Sequence, residues 1–93
     1  MDKFDFRLNT AIDKKTCEIL AVYFQTRKGR AAQVREIAEG VAFANYDSKG
    51  RLLGVELLGP CRVTVLTRLA QNEPTKIKRF LRESIPRKMA LAR

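Results

Sequence analysis

The chain has 93 residues, enough for one domain with a single core. Hydrophobic residues make up 45% and charged residues 31%, a globular balance rather than a disordered one. Nineteen Lys and Arg against ten Asp and Glu give a net charge of +9. There is no His, no Trp and only two Cys, which weighs against His-ligated metals, Cys-His or Ser-His-Asp catalysis and disulfide scaffolds.

Phe4, Phe6 and Leu8 alternate with Asp5, Arg7 and Asn9, and Ile12 keeps the phase. This period of two predicts a strand with one wet face. Asp13 to Thr16 reads as a polar turn. Glu18 to Thr26 is β-branched and aromatic, with Leu20, Val22 and Phe24 on one face and Ile19, Ala21 and Tyr23 on the other. Both faces are apolar, so a central strand covered on both sides is expected. Arg27-Lys28-Gly29-Arg30 is the next turn, and Ala31 to Ile37 a weaker strand broken by Glu39-Gly40.

Val41 to Tyr46 and Leu52 to Leu58 form a hairpin across Asp47-Ser48-Lys49-Gly50. The Asp bonds its own backbone to open the turn, and the Gly supplies the positive φ that re-enters the ladder. Gly54, inside the second strand, marks a bulge or a close backbone approach. Gly59-Pro60 ends the sheet. Val63 to Ala70 fits a strand or a short helix capped by Thr64, and the helix is preferred. Asn72-Glu73-Pro74 opens a clearer helix, with Ile77, Phe80, Leu81 and Ile85 at helical spacing until Pro86 stops it. The closing RKMALAR reads as a tail or a last half-turn.

These elements predict an α+β fold: a small antiparallel sheet of about five strands in a meander, followed by one or two C-terminal helices. Residues 1–93 form a single domain, with a sheet part over 1–61 and a basic helical part over 62–93. The first part carries a net +2 and the second +7.

The segment from Ala11 to Leu58 resembles the bacterial domain-of-unknown-function family 2283. The likeness rests on Ile12-Asp13 before a turn, the aromatic strand Ile19 to Phe24, the strand and turn from Val34 to Gly40, and above all Asn45-Tyr46-Asp47-Ser48-Lys49-Gly50-Arg51-Leu52-Leu53-Gly54-Val55-Glu56-Leu57-Leu58. The family usually opens with Tyr-Asp where this chain has Ile12-Asp13. The resemblance implies a compact antiparallel sheet and no activity, with an antitoxin-like role as one implied possibility. It does not reach the basic segment from Pro60 onward.

No secretory signal is expected, because two Asp precede any apolar run. The longest apolar run, Ile19 to Phe24, falls far short of the roughly 18 residues a membrane span needs. Cys17 and Cys61 lie in no ligand-like spacing, and free thiols suit a reducing cytosol, so a cytoplasmic location is expected.

Without His, acid–base chemistry would fall to carboxylates, Lys, Tyr or Cys. Asp13, Glu39 and Asp47 could meet at one end of the sheet, but Asp13 and Asp47 already have turn roles. Cys17 has no activating His. No glycine loop fits a phosphate cradle. No catalytic, cofactor or metal site is therefore expected, and a small enzyme is the least supported function.

Cations offer more. With Ile77, Phe80, Leu81 and Ile85 facing the core, Lys78, Arg79 and Arg82 fall opposite, with Lys76 at the margin. Arg87 and Lys88 extend the patch beyond Pro86. Such a surface either keeps a small domain soluble or binds anions. Arg27, Lys28 and Arg30 form a second basic turn. The expected function is a non-enzymatic basic interaction module that self-associates, as a dimer, and binds an acidic protein. A nucleic-acid-associated or antitoxin-like regulator is the alternative, and no membrane partner is expected.

Overall fold

A computed structural model describes residues 3–91. Its elements run β1 (Arg7–Ile12), β2 (Ile19–Gln25), β3 (Gln33–Ala38), β4 (Ala42–Tyr46), β5 (Leu52–Leu57), β6 (Cys61–Arg62), α1 (Val63–Leu69), α2 (Thr75–Ser84), a 3-10 turn (Arg87–Met89) and β7 (Ala90–Leu91). This is the expected α+β fold, with five antiparallel strands and two C-terminal helices. The hairpin β1-β2 and the meander β3-β4-β5 are joined through β2 and β5, giving the order β1-β2-β5-β4-β3. The two strands with the most apolar sequences, β2 and β5, are thus neighbours near the middle, and the weaker β1 and β3 are the edges.

Register defines the core face. Thr10, Val22, Leu57, Ala42 and Ala38 form one row across the sheet, and Leu8, Phe24, Val55, Ala44 and Arg35 the next. The small Ala42 and Ala44 let helices approach closely, and both are fully buried. Leu66 of α1, Ile77 and Leu81 of α2, and Met89 complete the core. Each such side chain contributes about 1.5–3 kcal/mol on burial. Phe80 of α2 lies 6.0 Å edge-on from Phe24 and 4.8 Å from Phe6, which stacks at 5.4 Å on Phe4. This aromatic run fastens α2 over the β1-β2 side of the sheet.

On the other face, Asn9, Tyr23, Glu56, Phe43 and Glu36 form a row that no helix covers among the described residues. Both helices pack on the Val22–Phe24 side, because each has only one apolar stripe and the connections are short. Tyr23 instead covers its own sheet: its hydroxyl approaches Gly54, where an added Cβ would overlap it, and accepts a hydrogen bond from Asn45 Nδ2 at 3.4 Å. Gly54 is therefore a site of close approach, and a register shift in the β4-β5 ladder lies beside it.

The segment expected as a tail or a last half-turn forms the 3-10 turn and then β7. Ala90 and Leu91 pair in parallel with Cys61 and Arg62, closing a loop around both helices. Ala92 and Arg93 lie outside the described residues. The N-cap of α1 is Arg62 rather than Thr64, with no side-chain capping bond.

Turn chemistry follows the sequence closely. Asp47 Oδ1 accepts the backbone N–H groups of Lys49 and Arg51, each at 2.9 Å, and Arg51 Nε donates to Oδ2 at 2.8 Å. Gly50 has φ +79° and donates its N–H to the Asp47 carbonyl at 3.0 Å. Gly50→Val is expected to cost on the order of 1 kcal/mol or more, because a β-branched residue resists positive φ. A loss under about 0.3 kcal/mol in urea melts would reject that role for Gly50. The backbone bond from Arg51, aided by its guanidinium and by the Lys49 N–H, holds the Asp47 carboxyl below its ordinary range. The folded chain thus takes up this proton less readily than the unfolded one. The turn's contribution is complete above the ordinary pKa of about 3.9 and disappears as pH falls through the lower folded value. Asp47→Asn should remove that part of the acid dependence.

Candidate anion-binding surface

Helix α2 has Ile77 and Leu81 buried, Phe80 and Ser84 half-buried, and Lys76, Lys78, Arg79 and Arg82 exposed. The 3-10 turn buries Met89 and leaves Arg87 and Lys88 exposed. All six predicted cations therefore lie on the surface of the C-terminal unit. Among the described residues none of them has a carboxylate within 4 Å. Lys78 and Arg82 are one turn apart, so their side chains are neighbours on the helix. Glu83 is the acidic residue within α2, and Arg82 in its last turn also suits the negative end of the helix dipole.

Anchorage distinguishes this patch from a charged tail. The aromatic run of Phe80, Phe24 and Phe6 fixes the middle of α2, and the β6-β7 ladder holds the chain beyond it. At its start, Glu73 meets Arg27 Nη1 at 3.6 Å.

That contact corrects the reading of the basic turn. Arg27 is only 6% exposed. Its Nη1 donates to the Leu52 carbonyl at 2.8 Å, and its guanidinium lies 5.2 Å from the centre of the Phe4 ring. A long side chain next to a central strand can bury its stem and spend its charge on a carbonyl and a carboxylate. Arg27 is thus a structural residue and no part of a surface patch. Lys28 is exposed but sits 3.4 Å from Asp5 Oδ2, and Arg30 is exposed. Arg7 Nε, at 3.1 Å, and then Lys28 hold the Asp5 carboxyl below its usual range. The Arg27–Glu73 pair places this turn beside the start of α2, a proximity that no local pattern announces.

Of the carboxylates considered for catalysis, Asp13 and Asp47 hold turns, and Glu39 is exposed in the β3-β4 turn. Asp13 Oδ1 accepts the Lys15 N–H at 2.8 Å and the Thr16 N–H at 3.3 Å. Glu36 Oε2 accepts the Gly40 N–H at 2.7 Å. Among the described residues no group of three His, Cys, Asp or Glu side chains is placed to hold a metal ion. Cys17 is exposed, at φ +62° in the β1-β2 turn, whereas Cys61 is buried and desolvation pushes its thiol pKa up. No helix among the described residues is long and apolar enough to cross a membrane.

Two further arginines, Arg35 and Arg68, escaped the sequence reading. They belong to β3 and α1, and only tertiary packing brings them to one groove.

The fold and the patch define a small α+β domain with a cationic helical face. No family model, no curated protein and no solved structure matches the chain.

Proposed function

We propose that this chain is a non-enzymatic basic interaction module whose α2 surface binds an acidic partner. The observation that carries this reading is the set of exposed cations Lys76, Lys78, Arg79, Arg82, Arg87 and Lys88, without a carboxylate partner among the described residues, on an anchored helix and the turn that follows it. Cations on a fixed scaffold lose less entropy on binding than cations on a free tail. The same feature favours a second reading, nucleic-acid phosphate, since no aromatic interleaves the patch and phosphate binding needs none. The antitoxin-like role implied by the resemblance to family 2283 belongs to this second reading, and that resemblance does not reach α2.

Fluorescence anisotropy with poly-glutamate and with a labelled DNA duplex separates the two. If four to six phosphates are neutralised, log K on the duplex falls with log salt at a slope of roughly −3 to −5. Changing Lys76, Arg79 and Arg82 to Gln should flatten it by about 2–3. Tighter binding of poly-glutamate supports the acidic-protein reading. No binding of either probe at about 50 mM salt and tens of micromolar protein rejects both.

We further propose that the chain self-associates as a two-fold dimer through the uncovered sheet face, where half-buried Tyr23 and Phe43 lie in one cross-strand row. Light scattering should give about twice the 10.6 kDa chain mass, and Phe43→Glu should return it to one. A constant mass near 10.6 kDa over a tenfold concentration range would reject the dimer.

A further inference from the structure

Edge strand β3 and helix α1 frame a groove of about 550 Å³. Ile37, Tyr46, Val65 and Leu69 give it an apolar floor, and Arg35 and Arg68 stand at its sides. Among the described residues no carboxylate lines it. The Arg35 guanidinium lies 5.5 Å from the centre of the Tyr46 ring, so the charge is held in place before any ligand arrives. Glu36, the next residue, belongs to the opposite face, where its carboxylate is engaged by the Gly40 N–H.

The groove adjoins an unused sheet edge. Among the described residues β3 pairs only with β4, and Gln33 to Glu36 are exposed, Val34 by 60%. An antiparallel edge turns alternate N–H and C=O groups outward, ready to pair with another extended chain. A strand added there would direct every second side chain toward α1, and β-strand addition beside a side-chain groove is an established mode of peptide capture.

We propose that this groove receives an extended acidic peptide segment of a partner protein, which adds to β3 as a strand. Its inward apolar side chains would rest on Ile37, Val65 and Leu69, and its inward carboxylates would meet Arg35 and Arg68. Charge selects the occupant. Beside two arginines and, among the described residues, no carboxylate, an acidic strand is favoured over the near-neutral edge strands that a second copy could offer. A small carboxylate ligand would use the arginines and leave the edge idle. The site shares no residue with the α2 patch, so either can fail without the other.

The test is an NMR titration of the ¹⁵N-labelled full chain with the synthetic peptide Glu-Thr-Val-Thr-Glu-Thr-Val. Amide shifts should concentrate at residues 33–38 and 65–72, with slowed hydrogen exchange in β3 and a dissociation constant of roughly 10⁻⁴ M. Arg35→Glu with Arg68→Glu should weaken binding about tenfold or more with the fold retained by circular dichroism, since both side chains are exposed. The same peptide with Lys for Glu, or with N-methylated Thr, should not bind. Shifts confined to α2, equal binding of the N-methylated peptide, or no shift at about 2 mM peptide would each overturn the proposal. So would a single-stranded oligonucleotide that fills the groove in preference to the peptide.

Discussion

Gly54→Ala is expected to destabilise the fold by about 2–3 kcal/mol, more than most single-methyl additions. Gly54 is buried in β5, and a Cβ there would overlap the Tyr23 hydroxyl and come within 2.6 Å of the Phe24 carbonyl oxygen. The tyrosine can swing away, but the carbonyl belongs to the β2 backbone and cannot move without disturbing the β2-β5 ladder. Tyr23→Ala in the same chain should therefore restore only part of the loss, and the two changes should be less than additive. Urea melts of the three variants measure this. A cost below about 0.5 kcal/mol for Gly54→Ala would show that the strands yield easily there.

Arg27→Met should cost about 2–3 kcal/mol, although the new side chain is apolar and of similar length. It strips a charged donor from the Leu52 carbonyl, leaving Thr26 Oγ1 as its side-chain donor at 2.8 Å. It also leaves the Glu73 carboxylate, 19% exposed, without its guanidinium. Glu73→Gln should be milder, about 1 kcal/mol, because an amide still accepts from Arg27. If Arg27→Met and Glu73→Gln cost the same, the carboxylate charge rather than the carbonyl contact dominates. A loss under about 0.5 kcal/mol for Arg27→Met would remove its structural role.

Local chemistry explains what was legible in the sequence. The Asp47–Gly50 turn, the α2 helix after Pro74 and the Gly54 close approach each depend on residues within a few positions, or on a residue type with one physical use. Partners distant in sequence were hidden. Nothing near Arg27 reveals that Leu52 and Glu73 will enclose it, and two residues at 90–91 carry too little pattern to announce a ladder with Cys61. Within one chain the helices cover β2 on one face, and a partner copy remains the expected cover of the other. Tyr23 is apolar enough to resemble a core residue, yet its ring is used within the sheet over Gly54. The exposed patch of α2 was readable because amphipathic spacing fixes both faces of a helix at once. Arg35 and Arg68 were not, because they share a groove only through the packing of α1 beside β3.

Strand β1 is exposed along its whole length and pairs only with β2 among the described residues. Its outer side is an open hydrogen-bonding edge bearing Leu8 and Ile12, 41% and 52% exposed, with Arg7 as its one charge. Edges of this kind seed aggregation unless something keeps copies apart. Here the keeper is colloidal: with +9 on every chain, separate particles, single chains or dimers, repel over about a Debye length, roughly 10 Å at 0.1 M salt. A polyanion that neutralises α2 also removes that repulsion and crowds several copies along one strand. Ligand and chain mixed near charge balance should then turn turbid, clearing again with excess ligand, and a Leu8→Lys chain should stay clear throughout.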